Sequence, residues 1–198
     1  YPVTQAQWRV VATMLPQIEL KLAPEPSHFK GNDRPVEQVH WHQAVEFCNR
    51  LNGYVEGRSI LDGYYYRLPS ETEWEYACRA NTTTPFHFGP VITTDVANCY
   101  GGSYADGPLG KSPEGTTSIT EFNHANRFGL SDMHGNIWEW CLDHWHESYE
   151  GVPLNGNAWL EKNPQTGNER VLRGGSWIYD PRNCRSASRD HLTPGYRS

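Results

Sequence analysis

Arg170-Val171-Leu172-Arg173-Gly174-Gly175-Ser176-Trp177, with Cys184-Arg185-Ser186-Ala187 after it, is the stretch whose reading decides the fold. Val171-Leu172-Arg173 reads as a short strand, the paired glycines as the turn that ends it, and everything beyond as turn. Two other blocks lie upstream. Tyr64-Tyr65-Tyr66-Arg67-Leu68 predicts a short strand closed by Pro69, and Ser70 with Glu73 forms a Ser-x-x-Glu capping box that opens a helix through Ala80. Phe128 to Trp145 carries a turn at His134-Gly135-Asn136 and then an aromatic strand.

The rest of the chain fills in around these blocks. Thr4 can cap a helix through Trp8, Val11 and Met14 that stops near Pro16. Val39 to Leu51 has apolar residues at helical spacing, with Asn52-Gly53 as its end. Residues 23–35, 81–126 and 152–169 read as loop, and one as long as 81–126 is either functional or held by something such as a metal. No repeat or linker interrupts 1–198, so one domain is expected.

Composition narrows the function classes. The hydrophobic fraction is only 37%, but eight Trp and eleven Tyr supply large buried surfaces. A net charge of -6 without a basic stripe argues against nucleic acid. Nothing approaches a membrane span and no signal peptide is visible, so a cytoplasmic location is expected. Five scattered cysteines without a CxxC pair read as buried free thiols rather than a disulfide framework or a zinc site.

In order and length, the three blocks resemble the formylglycine-generating enzyme (sulfatase-modifying factor) family over nearly the whole chain. The resemblance implies an α+β, C-type-lectin-like fold: loop-rich, with short antiparallel strands and two or three helices. It also implies strands before Tyr1 and a Gly-Phe-Arg strand after Ser198, so both ends are expected to be truncated.

The same resemblance implies two calcium sites. The first would use the side chains of Asn98 and Asp106 with carbonyls of Cys99 and Pro108; the second would use Asn136 and Glu139 with carbonyls of Gly135 and Ile137. Oxygen donors suit a hard ion. The alternative is that Asn98 and Asp106 form Asx-turns and Glu139 is a paired core carboxylate.

Oxidase activity in this family implies a two-thiolate Cu(I) site, which soft thiolates hold. Here the first cysteine position is Tyr179, and Cys184 is the one thiol near the second. One cysteine cannot build that site, so copper is not expected and the oxidase reads as lost. The pairs His40-x-His42 and His144-x-His146 read as core or solvated histidines rather than ligands.

Residues 177–198 resemble instead the variable region of retroelement-diversified proteins that share this fold. On their Asn-rich template, Ile178, Tyr179, Asp180, Ser188, Asp190, His191, Leu192, Gly195, Tyr196 and Ser198 occupy the slots reachable from AAC codons by changing adenines. Arg182, Cys184, Arg185, Ala187 and Arg189 would be fixed scaffold. Aromatic anchors among small polar groups make a paratope-like surface. An ordinary family member with a drifted tail would also have lost its cysteines. The expected function is thus a non-catalytic ligand-binding domain for a protein partner. The alternatives are a copper-dependent oxidase of a peptidyl cysteine, with Cys184 as residual ligand, and a calcium-stiffened structural module.

Overall fold

The computed structural model describes residues 1–56, 63–162 and 168–197. Helix α1 (Gln5–Met14) starts where the sequence places it. Thr4 Oγ1 accepts the Gln7 N–H at 3.2 Å, and Gln7 Oε1 accepts the Thr4 N–H at 2.9 Å. Helix α2 (Trp41–Val55) begins two residues later than expected, because His40 is the cap. Its Nδ1 accepts the Gln43 N–H at 3.3 Å, while Gln43 Oε1 accepts the His40 N–H.

The expected end of α2 at Asn52-Gly53 is corrected: the helix runs on to Val55. Asn52 turns its amide sideways, donating to the Tyr66 carbonyl at 2.8 Å and accepting the Tyr66 N–H at 2.6 Å. These bonds occupy both backbone groups of Tyr66, and no strand forms at Tyr64–Leu68. Helix α3 (Glu71–Arg79) carries the full Ser70–Glu73 capping box and ends at Ala80, whose φ is 43°.

One antiparallel sheet follows, β1 (Glu139–His144), β2 (Arg170–Arg173) and β3 (Asp190–Leu192), in that spatial order. Leu172 sits opposite Trp140 on one side and Asp190 on the other, and Val171 opposite His191. The reading of the tail as wholly turn is therefore corrected. Three residues with one apolar side chain carry no period, and pairing against β2 makes them a strand.

Alternation along the strands divides the core. Trp140 and Leu172 pack with Trp41 and Trp138, with Leu192 alongside. Cys141 and Val171 face Trp74, Cys78 and Met133. Trp41 Nε1 donates to the Cys141 carbonyl and Trp140 Nε1 to that of Val39, so both indoles are anchored at their polar ends. The sheet is thereby held between the α2 side and the α3 side.

Helices α1 and α2 share a further cluster around Trp8, Val11 and Phe47. Beneath it Arg50 and Glu46 form a buried pair at 2.7 Å. Glu46 accepts the N–H groups of Ile18 and Glu19, and Arg50 donates to carbonyls of Ala12 and Leu20. This pair satisfies the chain between the helices, which lacks regular structure of its own. The long stretch 81–126 has a small core too, Phe86, Ile92, Ala97 and Cys99 packed with Cys184.

The five cysteines are free, and all but Cys48 are fully buried. Among the described residues no helix is long and apolar enough to cross a membrane.

A candidate ligand-binding cavity

The sheet face carrying Leu172, Asp190 and Leu192 opens into a cavity of about 560 Å³. Trp138 and Leu172 line it as buried residues. Phe29 and Trp177 line it from two distant segments and meet edge to face, with ring centroids 5.4 Å apart. Ile178, Tyr179 and Tyr196 are lining residues that remain open to solvent. Tyr179 is not loose: its ring stands edge-on to Trp138 at 5.5 Å, and its carbonyl accepts the Tyr100 N–H.

The backbone after β2 explains why the tail reaches this cavity. Gly174 and Gly175 both have positive φ, at 96° and 77°, and a Cβ on Gly175 would stand 2.5 Å from Cys184 Sγ. The turn brings Ser176 to Tyr179 over the cavity, and Asp180 then caps the short 3-10 turn Pro181–Cys184 by accepting the Arg182 N–H.

Of the ten expected ligand-binding residues, the cavity gathers five: Ile178, Tyr179, Asp190, Leu192 and Tyr196. Strand alternation sends His191 to the opposite face, where its ring stacks on Trp145 at 4.3 Å and Nδ1 meets Glu169 at 2.7 Å. Asp180 is the cap just described, also paired with exposed Arg182. Ser188 gives its carbonyl to Arg173. Gly195 is exposed outside the cavity, and Ser198 lies outside the described residues. The scaffold positions divide in the same way: Cys184 is fully buried and Arg189 nearly so, whereas Ala187 and Arg182 are exposed.

Sequence reasoning missed Phe29, Glu37, Trp138 and Trp177 as lining residues. The two tryptophans lie inside the blocks that define the fold, so their presence was legible although their role was not. Phe29 and Glu37 come from a stretch without periodicity. Glu37 Oε1 accepts the Phe29 N–H at 2.9 Å and its own N–H donates to Ser27 Oγ, an arrangement no local pattern announces.

Three of the expected metal residues, Asn98, Gly135 and Asn136, are brought together. The buried Asn98 and Asn136 meet directly: Asn98 Nδ2 donates to Asn136 Oδ1 at 3.2 Å, and the Asn98 carbonyl accepts the Asn136 N–H at 2.7 Å. Gly135 has φ 113°, and a Cβ there would fall 2.3 Å from the Asn98 carbonyl oxygen. In the second set the Asn136 amide is already engaged within the protein. Asn136 Oδ1 already accepts two N–H groups, the other from Thr117, and its Nδ2 donates to Asp132. Glu139 is pushed up to about 7 by burial. Ile137 lines the cavity.

The first set fits better at one end. Asn98 Oδ1, Thr116 Oγ1 and Thr117 Oγ1 are buried oxygens without hydrogen-bond partners, and Asn98 Nδ2 ties their segments together through the Gly115 carbonyl. A hard cation supplies what such oxygens lack. Asp106 and Pro108 are exposed in the neighbouring loop. Among the described residues no group of three or more His, Cys, Asp or Glu side chains is placed to hold a metal.

Cys184 is buried against Cys99, and a hydrogen bond to that thiol together with burial pushes it well above its ordinary range. A reactive thiolate requires the opposite setting, exposed and electropositive. His144 and His146 are structural. The buried His144 Nδ1 accepts the Glu161 N–H, and the His146 ring stacks on Trp159 at 3.6 Å.

Comparison with known proteins agrees with this architecture. The family model described as sulfatase-modifying factor enzyme 1-like domain matches residues 1–198. The formylglycine-generating enzyme of Mus musculus is 30% identical over 98% of this chain and 46% of its own length. The chain thus spans about half the length of that relative. Among solved structures, PvdO from Pseudomonas aeruginosa superposes with a TM-score of 0.76 at 29% identity, covering 100% of this chain and 74% of the other. Treponema denticola variable protein 1 superposes at 0.70 with 26% identity, covering 100% and 78%. The fold is the α+β, C-type-lectin-like one that the sequence blocks imply.

Proposed function

The chain belongs to the sulfatase-modifying factor enzyme 1-like family, and we propose that it is a non-catalytic, ligand-binding member that recognises a protein through the cavity and its open tail. The observation that carries this reading is the convergence of Ile178, Tyr179, Asp190, Leu192 and Tyr196 on one cavity backed by Trp138 and Trp177. Exposed aromatics on a rigid floor are the composition of recognition surfaces, because they offer area at low entropic cost. The similarity to Treponema denticola variable protein 1 supports it.

The direct test is the double substitution Tyr179→Ala and Tyr196→Ala. Both side chains are solvent-exposed, Tyr179 less so than Tyr196, so ligand binding is expected to be lost while thermal stability stays nearly unchanged. A large fall in melting temperature would mean that the tyrosines hold the fold and that the site is misplaced.

Diversification of the tail belongs to this proposal. Sequencing the gene and its flanks across a population would find a near-copy differing only at adenines beside a reverse transcriptase; an invariant tail without a copy overturns that part. The copper oxidase is the second reading, supported by the formylglycine-generating enzymes among the relatives. Stoichiometric Cu(I) binding that depends on Cys184 would establish it, against the burial of that thiol. A structural calcium ion at Asn98 completes the proposal, supported by the orphaned oxygens there.

A further inference from the structure

The cavity has a chemical bias. Its lining carries five large aromatic side chains, Phe29, Trp138, Trp177, Tyr179 and Tyr196, and two carboxylates, Glu37 and Asp190. Among the described residues no lysine or arginine lines it, and His28 is the one basic side chain. The two carboxylates arrive from opposite parts of the chain. Glu37 comes from the loop before α2 and Asp190 from β3, so they are not one acidic run of sequence.

Each carboxylate is fixed by the backbone and keeps an acceptor to spare. Glu37 is buried and uses Oε1 to accept the Phe29 N–H. Asp190 uses Oδ1 to accept the His191 N–H at 2.8 Å. A carboxylate has about four lone-pair sites, and one N–H fills one of them. Neither group forms a salt bridge with the protein's own cations among the described residues. Aromatic faces and unneutralised carboxylates in one concave site favour a cation, the faces through their quadrupoles and the carboxylates through charge and hydrogen bonds.

From this, and resting on the ligand-binding reading above, we infer that the cavity takes a cationic side chain, arginine or lysine, presented by the protein ligand. The flat guanidinium of arginine stacks on a ring and pairs with a carboxylate at once, so it is the preferred occupant of the two. The open tyrosines Tyr179 and Tyr196 then contact the residues flanking it.

The experiment is an unbiased selection of a random peptide library on the intact chain, followed by affinity measurement of the enriched peptides on variants. Peptides enriched in arginine or lysine are expected. Their affinity should fall tenfold or more on Glu37→Gln with Asp190→Asn, and similarly when the peptide cation is replaced by norleucine. Both protein substitutions keep the oxygen that accepts its backbone N–H, so folding is preserved, and circular dichroism melting verifies it. Enriched peptides that depend on Tyr179 and Tyr196 but carry no cation, and ignore the carboxylate substitutions, would overturn this inference and leave the binding reading standing. Peptides indifferent to Tyr179 and Tyr196, or no enrichment at all, would overturn both.

Discussion

Arg189 holds Glu71 in a fork: Nε donates to Oε1 at 2.6 Å and Nη2 to Oε2 at 3.0 Å. Its guanidinium also lies 4.3 Å over Trp145 and 4.4 Å over Tyr149, and Tyr149 Oη donates to the same Glu71 oxygen. Glu71 is the first residue of α3, so this contact ties the tail that carries Asp190 and Leu192 to the helix. Removing one partner of a buried pair costs about 3–5 kcal/mol because the other charge is stranded. Arg173 stands 3.7 Å from Glu71 and offsets part of that cost. Arg189→Met is therefore expected to lower unfolding free energy in urea by about 3 kcal/mol, with Arg189→Lys intermediate because an ammonium cannot form the fork. Equal stability of Arg189→Met and wild type would show the pair to be dispensable.

The positions of this fork show how unevenly the fold was written in the sequence. The Ser70–Glu73 box and the Thr4 cap are local signals, and both helices start where those residues place them. The role of Arg189 is not local: its partner is more than a hundred residues away, and only the sheet brings them together. Strand β3 was unreadable for the same reason, since its three residues acquire strand conformation only by pairing with β2. The cavity was legible by half. The open tail residues follow from the resemblance to a variable region, whereas Phe29 and Glu37 depend on a loop held by the Ser27 hydroxyl and the Phe29 backbone.

Two glycines with the same backbone angle separate strain from packing. Gly156 and Gly175 both have φ 77°, but a Cβ on Gly156 meets nothing within 4 Å while one on Gly175 meets Cys184 Sγ at 2.5 Å. The left-handed conformation alone costs an L-residue about 1–2 kcal/mol. Gly156→Ala should destabilise by about that amount. Gly175→Ala should lose about 1–3 kcal/mol more, because overpacking must move the Cys184 backbone as well. Chemical denaturation of both variants reads the difference directly, and equal losses would remove the steric argument for the paired glycines.

Calcium at the Asn98 end should be visible as thermal stabilisation. Binding only the folded state at a hundred times the dissociation constant contributes about 2.7 kcal/mol, or about 5–10 °C in melting temperature for a chain of this size. Asn98→Ala removes the orphaned amide oxygen and should abolish the response to calcium. If calcium leaves the wild-type melting temperature unchanged, the buried oxygens of Asn98, Thr116 and Thr117 are hydrated rather than metal-bound.

His134 should make the protein sensitive to mild acid. Its Nδ1 lies 2.7 Å from the Cys184 carbonyl, which can only accept, so Nδ1 carries the proton; Nε2 then accepts the His87 N–H at 3.0 Å. A second proton would have to sit on Nε2, facing a donor, inside the core. Burial above all lowers the imidazole to about 3. The unfolded chain binds that proton near pH 6.5 and the folded chain does not, so stability is full above 6.5 and declines as pH falls toward 3. At pH 5 the loss from this one residue is about 2 kcal/mol. Carboxyls such as Glu139, raised by burial, contribute with the opposite sign in wild type and variant alike. The change in unfolding free energy between pH 7 and pH 5 should consequently be less destabilising in His134→Gln by about 2 kcal/mol, even though the variant is weaker at pH 7. An identical pH dependence in the two proteins would mean that His134 takes up its proton while folded.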